Sequence, residues 1–131
     1  MKKYHVIVTA CITVLGLFAI QVSAYQGDDR EMIVQAMRQS SDFMRQFNEA
    51  VKEQDYFTAA ESLMGIAKAM KSLEFIIPEK GSEEDWDEIH QDLIKAAFKG
   101  IGACADEDVK TVRGYGDEIR LLMQMGHKLF R

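Results

Sequence analysis

The last nine residues, MQMGHKLFR, contain the side chain of this sequence whose chemistry is most open to interpretation. His127 stands four residues before the end of the chain, beside apolar residues that repeat at helical spacing. A histidine in the last turn of a helix interacts with the exposed carbonyl groups and contributes roughly 0.3–1 kcal/mol, and Lys128 and Arg131 add to that effect. A neutral imidazole is also a common metal ligand. The sequence therefore leaves two roles open for His127, a charge at a helix end or a ligand.

Apolar residues recur every three or four positions in four segments, and this spacing predicts four amphipathic helices. Four helices of about 20 residues joined by short links predict an all-α fold, an antiparallel up-down-up-down four-helix bundle. The stripes expected to form its core are, segment by segment, Ile33, Met37, Ser40, Met44, Phe47 and Val51; Phe57, Ala60, Met64, Ala67, Met70 and Leu73 or Glu74; Trp86, Ile89, Leu93, Ala97, Ile101 and Cys104; and Val109, Val112, Gly116, Ile119, Met123, Gly126 and Phe130.

Helix starts are marked by side chains that accept a hydrogen bond from the first turn. The expected caps are Asp28 or Asp29 for the first helix, Asp55 for the second, Ser82 with Asp85 as a variant capping box for the third, and Asp106 for the fourth. The sequence FIIP ends the second segment, because the residue before Pro78 is driven out of the helical region.

In such a bundle the first helix begins at the level where the fourth ends. Met32 is about four residues inside the first helix, and at about 1.5 Å rise per residue it is expected in the same layer as His127. A histidine and a methionine that face each other across a bundle form an axial pair for haem iron. Met37, one turn further in, points more squarely at the core and is the rival distal residue. Ala36, Gly116 and Gly126 are small enough to make room.

The ending GHKLFR resembles the C-terminus of the class II cytochromes, the four-helix-bundle cytochromes c-prime, whose pattern is C-x-x-C-H-x-x-[FY]-R. His127, Phe130 and Arg131 match that pattern, whereas Met123 and Gly126 stand where the family has its two cysteines. The stretch EDWDEIHQDL also resembles the third helix of that family. Without the two cysteines, haem cannot be attached through two thioether bonds.

The soluble periplasmic b-type bundle cytochromes, which the chain also resembles, bind haem without thioether bonds. They use a methionine near the mature N-terminus and a histidine four residues before the C-terminus, and Met32 and His127 stand at those places. The resemblance implies a protein that holds haem b non-covalently, for electron transfer with a periplasmic redox partner or for binding a small gas. His127 would be the proximal ligand and Met32 or Met37 the distal one, with Met123 against the cofactor and Arg131 near a propionate.

The alternative is a cytochrome-like bundle that has lost haem and acts as a binding or stress-related interaction module. We expect no enzymatic activity in either case, because the sequence has no GxSxG, P-loop, GxGxxG or HExxH motif. After residue 24 there are only two histidines, His90 and His127, and one cysteine, which do not make a persuasive triad or structural zinc site. The acidic runs EEDWDE and ADED are interpreted as solvated first turns of helices.

The N-terminus has the three parts of a secretory signal peptide: the basic MKKYH, the apolar VIVTACITVLGLFAI, and QVSA with small residues before a cleavage point. We predict cleavage after Ala24, which makes residues 1–24 the signal and residues 25–131 one cytochrome-like domain of 107 residues (131 − 24) in the periplasm. The apolar run is short for a bilayer span, which needs about 20 residues.

Composition limits the partners of the mature domain. Two of the 16 basic residues, Lys2 and Lys3, precede the cleavage point, so 14 basic residues face 21 acidic ones and the formal charge is −7. This balance argues against nucleic acid and anionic membranes as partners. Cys104, the single cysteine left, excludes an internal disulfide and is either a small buried residue or a thiol that joins two chains. Monomer and homodimer both stay open.

Overall fold

A computed structural model describes the backbone of residues 2–131 and the side chains of residues 27–131. Four α-helices follow one another, α1 (Lys2–Lys52), α2 (Tyr56–Lys71), α3 (Glu83–Ala105) and α4 (Val109–Phe130). No strand occurs among residues 2–131. The chain divides into two compact units, Met1–Ile33 and Val34–Arg131. The second unit contains the end of α1 and the other three helices, and the predicted all-α four-helix bundle is confirmed.

Two phenylalanines of α1 hold it against both of its neighbours in the second unit. The Phe43 ring lies over Gly65 of α2, where a Cβ would come within 2.6 Å of the ring. The Phe47 ring lies over Gly116 of α4, where a Cβ would come within 2.5 Å of Cε1. Both separations are too short for a side chain on the partner, so each ring needs a glycine beneath it. Further round the bundle, α2 packs on α3 and α3 packs on α4.

Most residues of the predicted core stripes are buried or half-buried, and in the second segment Ala67, Met70 and Leu73 are buried as predicted. Phe57 is 75% exposed, so its assignment to the core was wrong. The buried face of α2 also includes Ala59, Ser62, Leu63 and Ile66, which the predicted stripe left out. Both sets of residues fit the helical period. Phe57 is exposed at its position in the first turn of α2, beside the connection from α1. Cys104 is buried as a free thiol, as its apolar position suggested.

Two of the predicted helix starts are confirmed and two are not. Asp55 accepts a hydrogen bond from the Thr58 backbone N–H, and Ser82 accepts one from that of Asp85. The start of α4 is capped by Asp108, because the backbone N–H of Asp106 still bonds to the carbonyls of α3. Neither Asp28 nor Asp29 begins α1, which runs through both positions from Lys2.

The connections α1–α2 and α3–α4 are built in the same way. Gln54 and Glu107 both have the left-handed backbone conformation, with φ of 58° and 54°. In each connection the following aspartate donates its backbone N–H to the carbonyl five residues earlier and then caps the next helix. Glycine usually occupies the left-handed position at a helix end. The sequence gives no glycine at either site, which is why the matching turns were not visible in it.

Replacing Gln54 by glycine should therefore stabilise the protein. The left-handed conformation costs a residue with a Cβ roughly 1–2 kcal/mol, and glycine avoids this cost. Glycine also makes the unfolded chain more flexible, which lowers the free energy of unfolding by about 0.4–1 kcal/mol. We expect the free energy of unfolding, measured by urea denaturation, to rise by about 0.5–1 kcal/mol for Gln54→Gly. Glu53→Gly, one residue earlier at a position without positive φ, is the matched control and should destabilise. Equal effects of the two changes would contradict the interpretation.

Candidate functional site

The register between α1 and α4 fixes which residues of α1 lie level with His127. Phe47 packs on Gly116, and Arg120 donates a long hydrogen bond of 3.4 Å to the Asn48 side chain. The two helices are antiparallel, so a step forward along α4 matches a step back along α1. Counting from these two contacts to His127 arrives at Ala36 and at Ser41 on α1. His127 therefore lies at the level of residues 36–41.

The helical repeat extends this register to the sides of the two helices. Eleven residues are close to three turns of an α-helix. His127 is eleven residues after Gly116, so it is expected on the side of α4 that receives Phe47. Met37 is eleven residues before Asn48, so it is expected on the side of α1 that contacts Arg120. Met37 is half-buried and the His127 side chain is exposed, and a contact between the two stays a prediction.

The other predicted site residues are distributed as follows. Met123, one turn before His127, is half-buried on the inner side of α4, and Arg131 is exposed at the end of the chain. Met32 is exposed and belongs to the first compact unit, whereas Met37 and His127 belong to the second. The prediction of a layer shared by Met32 and His127 stays a prediction.

Three aromatic rings pack together at the same end of the bundle. The Trp86 indole lies 4.2 Å from the His90 ring, measured between centroids, and meets the edge of Phe130 at 5.0 Å. Gly126 lies over Ile89, so α4 approaches α3 closely just before His127. Trp86 and His90 are 3% and 6% exposed. His90 was not among the predicted ligands, although its place four residues after a tryptophan on a buried stripe was visible in the sequence.

The chemical state of His90 follows from its surroundings. Its Nδ1 lies 2.7 Å from the Trp86 carbonyl oxygen, which can only accept, so Nδ1 carries the proton. Burial lowers the pKa of His90 from its usual 6.5, while the Trp86 carbonyl and Asp87 favour the charged form less strongly. The ring is therefore neutral, and its Nε2 presents a lone pair. Neither that Nε2 nor the Trp86 Nε1–H has a hydrogen-bond partner within the part of the chain whose side chains are described.

Two broader properties belong with this site. Among residues 27–131 no group of three or more histidine, cysteine, aspartate or glutamate side chains is arranged to hold a metal ion. Across that same stretch, no helix combines the length and the apolar character needed to cross a membrane.

Comparison with protein-family models, with curated proteins and with solved structures finds no match for the chain.

The buried neutral His90 predicts a pH dependence of stability. Its pKa is lower in the folded protein than in the unfolded chain, so protons bind preferentially to the unfolded state below about 6.5. The contribution of His90 to the free energy of unfolding is fully present above the pKa of His90 in the unfolded chain. It is lost as the pH falls from there toward the lower pKa of His90 in the folded protein. We expect the melting temperature to fall more between about pH 7.5 and 5.5 for wild type than for His90→Gln.

His127→Gln is the matched control for that measurement. His127 is exposed, so its replacement should leave the pH-dependent fall in place. If the melting temperatures of wild type and His90→Gln change in parallel over this range, His90 is not held neutral by the fold.

Proposed function

We propose that this chain is a periplasmic cytochrome-like bundle that binds haem b non-covalently between α1 and α4, for electron transfer or small-gas binding. The observation that supports it best is the register of α1 and α4, set by Phe47 on Gly116 and by Arg120 on Asn48. From this register Met37 and His127 are expected at one level of the bundle. Histidine and methionine are the axial pair of many electron-transfer haems. The ending H-x-x-F-R, which resembles that of the class II cytochromes, supplies the same histidine.

The residues at this level suit a flat and largely apolar group. Ala36 and Ser40 are small and buried, and Gly126 has no side chain, so none of the three would itself project into a site at this level. The buried Ser40 hydroxyl donates a hydrogen bond to the Ala36 carbonyl at 2.8 Å, so its hydrogen-bond donor is satisfied within α1. The rings of Trp86 and Phe130 add aromatic surface on the α3 side.

Two buried polar atoms without a protein partner also support a ligand at this end. The Trp86 Nε1–H and the His90 Nε2 are respectively a donor and an acceptor. Buried polar groups are nearly always hydrogen-bonded, so such atoms usually mark a place completed by water or a ligand. The porphyrin of a haem provides four of the iron ligands, so the protein needs to contribute only one or two.

The chain's own residues have separate tasks in this proposal. His127 of α4 would hold the iron, and the contact of Gly126 with Ile89 sets the position of its helix turn against α3. Met37 of α1 would be a second ligand in an electron carrier, and would leave the iron accessible to a gas if it did not bind. Arg131 is an exposed cation near His127 and suits a propionate, although exposed ion pairs contribute only about 0–1 kcal/mol. Haem, when bound, supplies the one-electron or gas-binding chemistry that these side chains do not have.

One observation favours the second candidate, a haem-less bundle that acts as an interaction module. His127 is exposed in the last turn of α4, where it interacts favourably with the free carbonyl groups. On this interpretation the aromatic rings of Trp86, His90 and Phe130 are simply the core of that end of the bundle. The two candidates differ in whether His127 ligates iron, which is directly measurable.

Titration of the purified protein with haemin tests the proposal. Wild type should give a saturable Soret band, and its melting temperature should rise, because a ligand at a hundredfold excess over Kd stabilises the folded state by about 2.7 kcal/mol. His127→Ala should lose the band. Gln124→Ala, at an exposed position one turn earlier on α4, is the matched control and should retain it. A wild type without a saturable band, or a His127→Ala variant that binds as wild type does, would support the haem-less bundle.

The distal ligand is tested by a second pair of variants. Met37→Ala should convert the reduced protein from a six-coordinate, low-spin spectrum to a high-spin one that binds carbon monoxide readily. Met32→Ala, the matched change in the other compact unit, should leave the spectrum unaltered. The reverse pattern would assign the ligand to Met32. A wild-type protein that is already high-spin would favour gas binding over electron transfer.

A further inference from the structure

The outward face of α4 carries large apolar side chains on successive turns. Leu121 is 57% exposed and Met125 is 44% exposed, and Leu129 continues the line one turn later. The inner side of the same helix buries Val112 and Ile119, so these outer residues contribute nothing to the bundle core. Single exposed apolar residues are ordinary, but a contiguous line of them marks an interaction surface.

The charges that bracket this line make the face complementary to itself. Glu118 precedes Leu121 by three residues, Met125 follows Leu121 by four, and Lys128 follows Met125 by three. This 3-4-3 spacing is the heptad spacing of a two-helix interface. The spacing is the same in both directions along the helix. An acidic residue stands at one end of the line and a basic residue at the other. We call these four residues the α4 seam.

We propose that the α4 seam joins two copies of this chain in an antiparallel, two-fold symmetric dimer. A two-fold axis near Met123 places Leu121 of one copy against Met125 of the other, twice. The same axis places Glu118 against Lys128, again twice. A two-fold interface requires such self-complementarity, because both copies use the same surface. If one residue contacts a second residue across the interface, the same contact occurs again with the two copies exchanged.

Charge also favours a second copy over other occupants. The chain is acidic, with a formal charge of −5, so net charge opposes both an anionic lipid surface and a second copy, and only a second copy offers the compensating pairs of Glu118 with Lys128. The α4 seam contains one acid and one base, which makes it a neutral strip on an acidic molecule. A parallel arrangement would put like charges together, whereas the antiparallel one pairs opposite charges at both ends. Electrostatic pairing of this kind fixes orientation more than it adds affinity.

Sedimentation equilibrium of the protein purified from expression of the full chain tests the dimer. The average mass should rise from monomer toward dimer as the concentration is raised from about 1 to 100 µM. Leu121→Lys should weaken self-association about tenfold or more, because it places a charge at the centre of the interface. The position is exposed, so the variant should keep the helical circular dichroism of wild type. Phe98→Lys, at an exposed position of α3, is the matched control and should dimerise as wild type does.

A charge exchange tests the antiparallel pairing itself. Glu118→Lys and Lys128→Glu should each weaken the dimer several-fold, because each creates two like-charge contacts. The double variant Glu118→Lys with Lys128→Glu should restore wild-type association, since it only reverses the sign of both pairs. A monomeric wild type at all concentrations, equal effects of Leu121→Lys and Phe98→Lys, or a double variant weaker than both single ones would overturn the proposal.

Discussion

The contact between Phe47 and Gly116 is the constraint on which the candidate site depends. An aromatic ring seated directly on the α4 backbone allows only one lateral position and one level for α1, because any side chain in place of the glycine would collide with it. The second contact, Phe43 on Gly65, fixes α1 against α2 in the same way. With both in place, three turns of regular helix along α1 and α4 predict Met37 and His127 at one level. That level lies about 16 Å from the Phe47 contact (eleven residues at about 1.5 Å each).

The end of the bundle beyond that contact combines tight packing with incomplete hydrogen bonding. Trp86 and His90 are buried with their rings in tilted contact, yet each has a polar atom without a protein partner among the described residues. A buried donor or acceptor left unpaired costs roughly 1–3 kcal/mol. This is the pattern expected where a protein keeps polar atoms for a ligand or for bound water rather than for its own core.

One helix, α4, contributes different surfaces to each of its neighbours. Gly126 and Phe130 pack on α3, and Gly116 and Arg120 contact α1. The α4 seam faces away from both. Because the helix repeats every 3.6 residues, these three sets of residues interleave in sequence without competing for space. The same short stretch can therefore serve the bundle core, the candidate haem site and an interface with a second copy.

The sequence by itself determined the helical class, the number of helices, and the caps at Asp55 and Ser82, since these depend on local periodicity and on bonds within four residues. It also singled out His127, Met32 and Met37 as candidate ligands. The full extent of the buried face of α2, the cap at Asp108 and the burial of His90 were decided only in the tertiary structure. Phe57 and Leu63 both fit a helical stripe, and only the position of the neighbouring helices selects the one that is buried. Likewise, no local rule distinguishes His90 from a surface histidine. Its neutral state arises because α3 is enclosed by other elements, which removes the water that would solvate its charge.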